Sequence, residues 1–316
     1  MNKRGFEFSF AWIFAIFVGA VIIFLAVYAA TQFVYTEREV RDTEIGKEIG
    51  ILLTPVETGV ESGKTARISF AQETRVFNGC REEGNFGAQE ISTSTKSGIG
   101  AEWQSPGIKS SFYNKYIFSS STVQGKEIFV FAKPFYFPYK VADVMFLFGS
   151  EKYCFVTPPR DVEEEMALLL DYVEIVEDVS DCKSGGKKVC FTSSGCDIDV
   201  SVSSGAVTKY GETEYFVPGF EDSENTLMYG AIFSDPGVYR CQIKRLMKRA
   251  SELGTLYNSK SEILSGTGCG SSILQPGLMN FASKAGNFEG LVGLRELNLL
   301  AGELNRQNEN LECKLF

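Results

Sequence analysis

The residues best suited to chemistry in this sequence are its cysteines, since it has 8 of them and no histidine. Without histidine the chain lacks the usual general base, the Ser–His and Cys–His pairs and the commonest metal ligand. The even number of cysteines predicts up to four disulfides in an oxidising compartment. Buried thiols or a zinc cluster are the alternatives, and zinc fits poorly because no CxxC pair occurs. The disulfide candidates are Cys80, Cys154, Cys182, Cys190, Cys196, Cys241, Cys269 and Cys313.

Two pairings follow from spacing as hypotheses. Cys182 and Cys190 flank the turn sequence KSGGK, so a hairpin disulfide is expected there. Cys241 opens the first predicted C-terminal helix and Cys313 closes the last, so these two would meet if the helices were antiparallel. The connectivity of the remaining cysteines stays open.

Carboxylates are the other candidate groups. Glu163 to Glu165 open a predicted helix, where acids match the helix dipole and face solvent. Asp197 and Asp199 alternate along a predicted strand, but a calcium site needs about six or more oxygen ligands and no companion cluster is nearby. We therefore predict no catalytic residue, no metal and no cofactor. A hydrolase built on two carboxylates is the alternative, because glycosidases need only such a pair.

The N-terminal stretch, residues 8–35, is apolar and uncharged, which predicts a transmembrane helix. Lysine and arginine counts on its two flanks hardly differ, so the cysteines decide the orientation. We expect residues 1–7 to form a short cytoplasmic tail of the cell membrane protein, and the residues after the transmembrane helix to lie outside the cytoplasm. The apolar run exceeds that of a secretory peptide, which favours an uncleaved signal anchor over a cleaved one.

Two features of this helix point to contacts. Ala11, Ala15 and Gly19 recur every fourth residue, a spacing that lets two helices approach closely, although small residues are also common in membrane spans. Glu7 follows Lys3 and Arg4 by one helical turn, so an ion pair at the membrane interface is expected.

The sequence KRGF, followed by Glu7 and a long apolar helix, resembles the N-terminus of type IV pilin-like proteins. That resemblance implies cleavage after Gly5 and a glutamate that neutralises a neighbour's new amino terminus. The family's glutamate is the fifth residue after the cut, whereas Glu7 would be the second. The start RGFEFSFAW is also similar to that of single-pass archaeal envelope proteins, which implies an envelope location and no particular activity.

The rest of the chain predicts an α+β fold, with a juxtamembrane stalk (36–55), an antiparallel strand-rich region (56–233) with one helix near 160–173, and a C-terminal helical region (234–316). GSEK at 149–152 predicts a hairpin turn, and LMYGAIF at 227–233 a strand. Pro134 and Pro138 make PFYFPY a loop folded over the core rather than a central strand. Leu297, Leu304 and Leu311 recur every seven residues. This spacing predicts a helix face packed in the core, and a coiled-coil contact with a partner is the alternative.

Composition narrows the function. The net charge of −9 and the absence of a basic patch argue against nucleic acid, and no small-molecule ligand is identifiable. We predict a membrane-anchored extracytoplasmic structural or interaction protein of the cell envelope, with a protein partner or a homo-oligomer, self-assembling or part of a surface or pilus-like complex. A surface-anchored hydrolase and a ligand-binding receptor domain are the alternatives. A signalling receptor is disfavoured because few residues precede the span.

Overall fold

The computed structural model describes residues 10–53, 64–96, 102–169, 171–192, 194–220, 223–266 and 268–316. These residues form an α+β fold with a long N-terminal helix, two six-stranded sheets and a C-terminal group of helices. The fold class agrees with the sequence prediction. The expectation of antiparallel strands is wrong in part, because both sheets are mixed.

Helix α1 (Phe10–Leu52) is continuous. Its segment Trp12–Phe33 is long and apolar enough to cross a membrane, and none of that segment is buried against the chain. The last turns differ, since Asp42, Ile49 and Leu53 are buried against sheet 1. Within the predicted stalk at 36–55, the described residues from Asp42 to Leu53 therefore pack against the folded domain.

Sheet 1 lies between α1 and the C-terminal helices. Its strands are β1 (Lys64–Arg81), β2 (Ala88–Thr95), β3 (Ser110–Phe112), β4 (Ile117–Phe118), β5 (Thr122–Tyr136) and β6 (Lys140–Phe148), in the order β3-β2-β1-β5-β6-β4. Side chains alternate between the two faces as strand geometry requires. On β5, Ile128 and Val130 face α1, whereas Phe129 and Phe131 face the main core.

Sheet 2 comprises β7 (Tyr153–Val156), β8 (Val173–Val176), β9 (Lys187–Cys190), β10 (Ile198–Ser201), β11 (Ala206–Lys209) and β12 (Glu212–Tyr215), in the order β12-β11-β10-β9-β7-β8. Strands β8, β7, β9 and β10 run parallel. Two predicted hairpins are therefore wrong. At GSEK the chain passes from sheet 1 to sheet 2, and at KSGGK it enters β9, which pairs with β7 rather than with its predecessor.

The helices after α1 are α2 (Arg160–Met166), α3 (Thr226–Phe233), α4 (Pro236–Ser265), α5 (Gln275–Gly286) and α6 (Gly290–Glu309). Helix α2 passes into a 3₁₀ turn, Ala167–Leu169, so it is shorter than the predicted helix near 160–173. The β-branched residues of VEIV that follow it complete the sheet as β8. The strand prediction for LMYGAIF is wrong, since this segment is α3 and is buried on all sides. Because every residue of this short run is apolar, its hydrophobic pattern does not distinguish a helix from a strand.

The main core is rich in aromatic rings. It joins the inner face of sheet 1, sheet 2 and helices α3 to α6. Phe135, Phe137 and Tyr139 are buried in it, as expected for PFYFPY, but Pro134 lies inside β5 and pairs with Asp143 of β6. The described pairing of β5 with β1 ends at Ala132. Pro134, which has no N–H group, therefore lies beyond that ladder and does not interrupt it. Leu297 and Leu304 are buried on α6, which confirms the core interpretation of the leucine repeat.

Candidate functional site

The junction between α1 and sheet 1 is built from polar contacts as well as apolar packing. Thr93 Oγ1 donates to the backbone oxygen of Asp42 at 2.6 Å, and Thr95 Oγ1 donates to Asp42 Oδ1 at 3.1 Å. The Ile108 N–H donates to Thr43 Oγ1 at 3.1 Å. Gly107 lies so close that a Cβ there would stand 2.8 Å from the backbone nitrogen of Thr43. Because several bonds cross this contact, the helix and the sheet are expected to move as one body.

The candidates for helix association lie on the free part of α1. Ala15 is exposed, and no atom of the chain lies within 4 Å of a Cβ built on Gly19. Ala11 belongs to the same helix, and its side chain is outside the described residues. Lys3, Arg4 and Glu7 also lie outside them. The small-residue face is thus available to another molecule or to lipid.

The eight cysteines form four pairs at disulfide distance. The pairing differs from both sequence hypotheses. Cys182 bonds to Cys154 because KSGGK does not form a hairpin, and Cys241 bonds to Cys80 of sheet 1 rather than to Cys313. The pairs are Cys80–Cys241, Cys154–Cys182, Cys190–Cys196 and Cys269–Cys313.

Two of these disulfides lie on the outer face of sheet 2. Cys154, Val156 and Cys190 form a small cluster there, with Cys182 and Cys196 packed against it. Parallel sheets normally have both faces covered by helices. Here the cystines and short loops provide the outer cover, while helices of the main core provide the inner one.

The nearest approach to a metal site among the described residues is Cys190, Cys196 and Asp199, whose potential ligand atoms lie within 4.8 Å of one another. The two sulfurs are joined as a disulfide, whereas metals bind thiolates. Asp199 accepts the backbone N–H groups of Gly195 and Cys196, each at 3.0 Å, and Asp197 accepts that of Lys188 at 2.8 Å. Asp197 and Asp199 therefore hold the backbone around the Cys190–Cys196 disulfide in place.

The largest of the described cavities, about 770 Å³, lies at the carboxyl ends of β7, β9 and β10. Its position is where the strand order reverses, because the chain leaves β7 for β8 on one side and returns to β9 on the other. Thr157 and Thr192 share a hydroxyl hydrogen bond of 2.8 Å across this point. Hydroxyl groups dominate the polar part of the lining, so its chemistry suits neutral polar molecules. Its polar residues are Thr157, Thr192, Ser194, Asp199, Ser201, Ser203 and Thr208.

Two carboxylates line a second cavity of about 220 Å³, formed in part by Asp171, Glu174 and Lys183. Hydrogen bonds from Lys183 hold the pKa of Glu174 below its usual value. A general acid requires the opposite shift. Asp171 is paired with Arg67 at 3.3 Å. The arrangement therefore resembles two surface ion pairs rather than an acid and base around a substrate.

Buried cations are the feature that sequence reasoning missed. Arg245 of α4 is fully buried and donates to the backbone oxygens of Phe86, Lys115 and Tyr113. Burial lowers the pKa of its guanidinium to about 10. It also donates to Gln242 Oε1 at 2.8 Å. Leu246 and Ala250 of the same helix are buried and mark its buried face. Arg245 lies at the edge of that face, and this helical period is the sequence signal that could have indicated its burial.

Two further buried lysines tie helices to strands. Lys133 of β5 forms an ion pair with Glu165, so the acidic run at Glu163 to Glu165 is not wholly a solvated face as predicted. Lys209 of β11 donates to the backbone oxygens of Ile232 and Ser234, where α3 ends. Burial lowers the pKa of Lys209 to about 8. Lys209 thus satisfies backbone oxygens at the end of α3, and Lys133 satisfies a side-chain oxygen of Glu165.

No protein-family model, curated protein or solved structure matches this chain.

Proposed function

We propose that this protein is a membrane-anchored structural or interaction protein of the cell envelope, with a single span, a cytoplasmic N-terminus and an extracytoplasmic domain. One observation is the main support: α1 is a single helix with an exposed apolar segment, and its last turns are built into the domain. Side chains such as Phe10, Trp12 and Phe17 are mostly exposed along it. A continuous apolar surface of this size is unstable in water and stable in lipid.

The disulfides support the orientation. All eight cysteines belong to the domain after α1, and the four pairs between them persist in oxidising compartments. An extracytoplasmic domain requires the N-terminus of α1 to remain in the cytoplasm. The pilin-like start points the same way and supports assembly into a surface or pilus-like complex, with α1 as the shared helix.

The interaction role follows from what the site lacks among the described residues. The groove at the ends of β7, β9 and β10 has Asp199 as its ionisable lining residue, and that carboxylate already accepts two backbone N–H groups. The carboxylates of the smaller cavity are ion-paired. These two cavities therefore offer the hydrolase alternative no free acid–base pair.

Topology and redox state are tested together in intact cells. Membranes are extracted with alkaline carbonate, and a membrane-impermeant alkylating reagent is applied before and after reduction. We expect the protein to stay in the membrane pellet, with no cysteine labelled before reduction and eight labelled after it. Extraction into the carbonate supernatant, or no labelling of intact cells even after reduction, would contradict the proposal.

Self-assembly is tested by single cysteines on the helix. In Ala15→Cys and Gly19→Cys, we expect a disulfide-linked dimer after mild oxidation in membranes, since the native cysteines are already paired. Phe17→Cys is the matched control, because it lies on the opposite face of the helix. Equal dimer yields at all three positions would indicate random collision, and no dimer at Ala15 or Gly19 would remove assembly through this face.

A further inference from the structure

We propose that the groove at the carboxyl ends of β7, β9 and β10 is a binding site for a neutral saccharide. The inference goes beyond the proposed function, because a sugar site requires neither a membrane span nor contact between copies of the chain. Four features of the groove support it: its place in sheet 2, its size, the backbone of Thr157 and the chemistry of its lining.

The first two features are place and size. The connection that leaves β7 leads to β8 on one side, whereas the connection that leaves β9 leads to β10 on the other. Ligands of open α/β sheets bind in the crevice that opens where the connections diverge in this way. The groove has a volume of about 770 Å³, within the range of about 300–1,000 Å³ that is typical of small-molecule sites.

The third feature is the backbone of Thr157, which follows β7 directly and lines the groove. Its φ of 47° lies in the left-handed region, where a β-branched residue is an outlier. The Thr157 N–H donates to the Val176 oxygen at 2.9 Å, and the Thr157 hydroxyl bonds to that of Thr192, so contacts on two sides impose this conformation. Such strain concentrates in ligand-binding sites. Because a glycine would remove it, the strain indicates a use for the threonine side chain.

The fourth feature is the chemistry of the lining. Six of the described lining residues are Ser or Thr, and none of them is Lys or Arg. Each hydroxyl can donate and accept hydrogen bonds, as sugar hydroxyls do. Thr208 of β11 lies opposite Asp199 of β10, the single carboxylate, and Pro158, Pro159 and Val202 add apolar surface for the C–H groups of a sugar ring. A lining without cations disfavours acidic or phosphorylated ligands and favours neutral ones.

The test uses the full-length protein in phosphatidylcholine nanodiscs and saturation-transfer NMR, which detects weak binding from the signals of the free sugar. The probes are maltotriose, mannotriose and the trisaccharide of N-acetylglucosamine, with trigalacturonic acid as the charged comparison. We expect at least one neutral sugar to bind with a Kd of about 1 mM or lower. The charged sugar should bind at least about tenfold more weakly than the tightest neutral one.

Two substitutions assign the binding to the groove. Thr208→Val removes one hydroxyl from the lining, and Thr157→Gly removes a hydroxyl together with the backbone strain. We expect each of them to weaken binding of the tightest neutral sugar about fivefold or more. Each variant is accepted as folded when all eight cysteines resist alkylation without reduction.

Matched controls separate the groove from general effects. Tyr210→Gly is the control for strain, because Tyr210 is the other described non-glycine residue with positive φ, at 53°, and it does not line the groove. Thr255→Val on α4 is the control for an exposed hydroxyl that is lost elsewhere. Both controls should bind the sugar as the unchanged protein does.

Three results would overturn the proposal. The first is that none of the neutral sugars binds, and the second is that neutral and charged sugars bind equally well. The third is that the groove variants bind as the unchanged protein does, or lose no more affinity than the controls. None of these results affects the membrane anchor, which carbonate extraction tests, so failure of the sugar site and failure of the proposed function are distinguishable.

Discussion

The two sheets are held in different ways. Sheet 1 has α1 on one face and helices on the other, and a fully buried Arg245 links it to α4. Sheet 2 has helices on its inner face, but its outer face is covered by the disulfides Cys154–Cys182 and Cys190–Cys196. Sheet 1 is thus stabilised by long-range contacts, whereas the outer face of sheet 2 depends on local crosslinks.

This difference suggests how load passes through the molecule. In the proposed membrane-anchored arrangement, a force on the domain would pass to α1 through sheet 1, whose contacts connect residues far apart in sequence. Cys80–Cys241 spans 161 residues, whereas Cys190–Cys196 spans 6. If the contacts decide stability, changes in sheet 1 should cost more free energy of unfolding than matched changes in sheet 2.

The largest expected effect comes from removing the long-range disulfide. By the chain-entropy model, Cys80→Ala with Cys241→Ala should lower the free energy of unfolding by about 5 kcal/mol, and Cys190→Ala with Cys196→Ala by about 2 kcal/mol. The measurement is denaturant unfolding of the detergent-solubilised protein. A greater loss from the shorter loop would reverse the proposed contrast between the sheets.

The second effect concerns the buried arginine. Arg245→Met should destabilise the fold by about 4 kcal/mol, because it leaves several backbone oxygens without donors in the core. Lys244→Met on the same helix is the matched control. Lys244 pairs with Glu82 at 2.8 Å between two half-exposed side chains, so this change should cost less than about 1 kcal/mol. Similar losses in the two variants, measured by the same unfolding assay, would show that the network contributes little.

The third effect is a pH dependence at sheet 2. The pKa of Lys209 is lowered to about 8 in the fold from 10.5, so between these values the unfolded chain binds more protons. The free energy of unfolding should therefore rise with pH in this window, by about 1 kcal/mol per pH unit relative to Lys209→Met. Below pH 8 the difference between the two proteins should be constant. Parallel curves for the two proteins between pH 8 and 10 would exclude the lowered pKa.

The smallest effect tests the junction itself. Thr93→Val removes the hydrogen bond to Asp42 and should cost about 1 kcal/mol, seen as faster amide exchange in residues 42–53. Thr213→Val in sheet 2 breaks an exposed hydroxyl pair with Thr208 at 3.0 Å and should change almost nothing. If exchange in residues 42–53 is as fast in the control as in Thr93→Val, the junction does not depend on this bond.

Several elements could be predicted from local sequence. The N-terminal helix follows from an uncharged apolar run, and the leucines of α6 follow from their period. Strand β1 follows from the alternation in ARISFAQ at 66–72, and β5 from the apolar, β-prone run at Ile128 to Phe131. The even cysteine count pointed to disulfides, since that inference needs only composition.

The rest depends on contacts between distant residues. Cys241 could be assigned to Cys80 only with the position of α4 over β1, and Cys182 to Cys154 only with the parallel pairing of β7 and β8. The residues of LMYGAIF become a helix because the core surrounds them on all sides, which overrides their strand propensity. Arg245 and Lys209 are buried because backbone oxygens from other elements meet them. The helical period places Arg245 at the edge of the buried face of α4, but it does not show which oxygens will accept from it.

The central claim is that the membrane span and the domain form one rigid unit through α1. The most direct measurement is a spin-label distance in lipid nanodiscs between Phe33→Cys, at the end of the span, and Tyr113→Cys, beside β3. Both sites are mostly exposed, and the native cysteines are paired, so labelling is specific. The account predicts a single narrow distance distribution. A broad or two-peaked distribution would show a hinge between the span and sheet 1 and would contradict it.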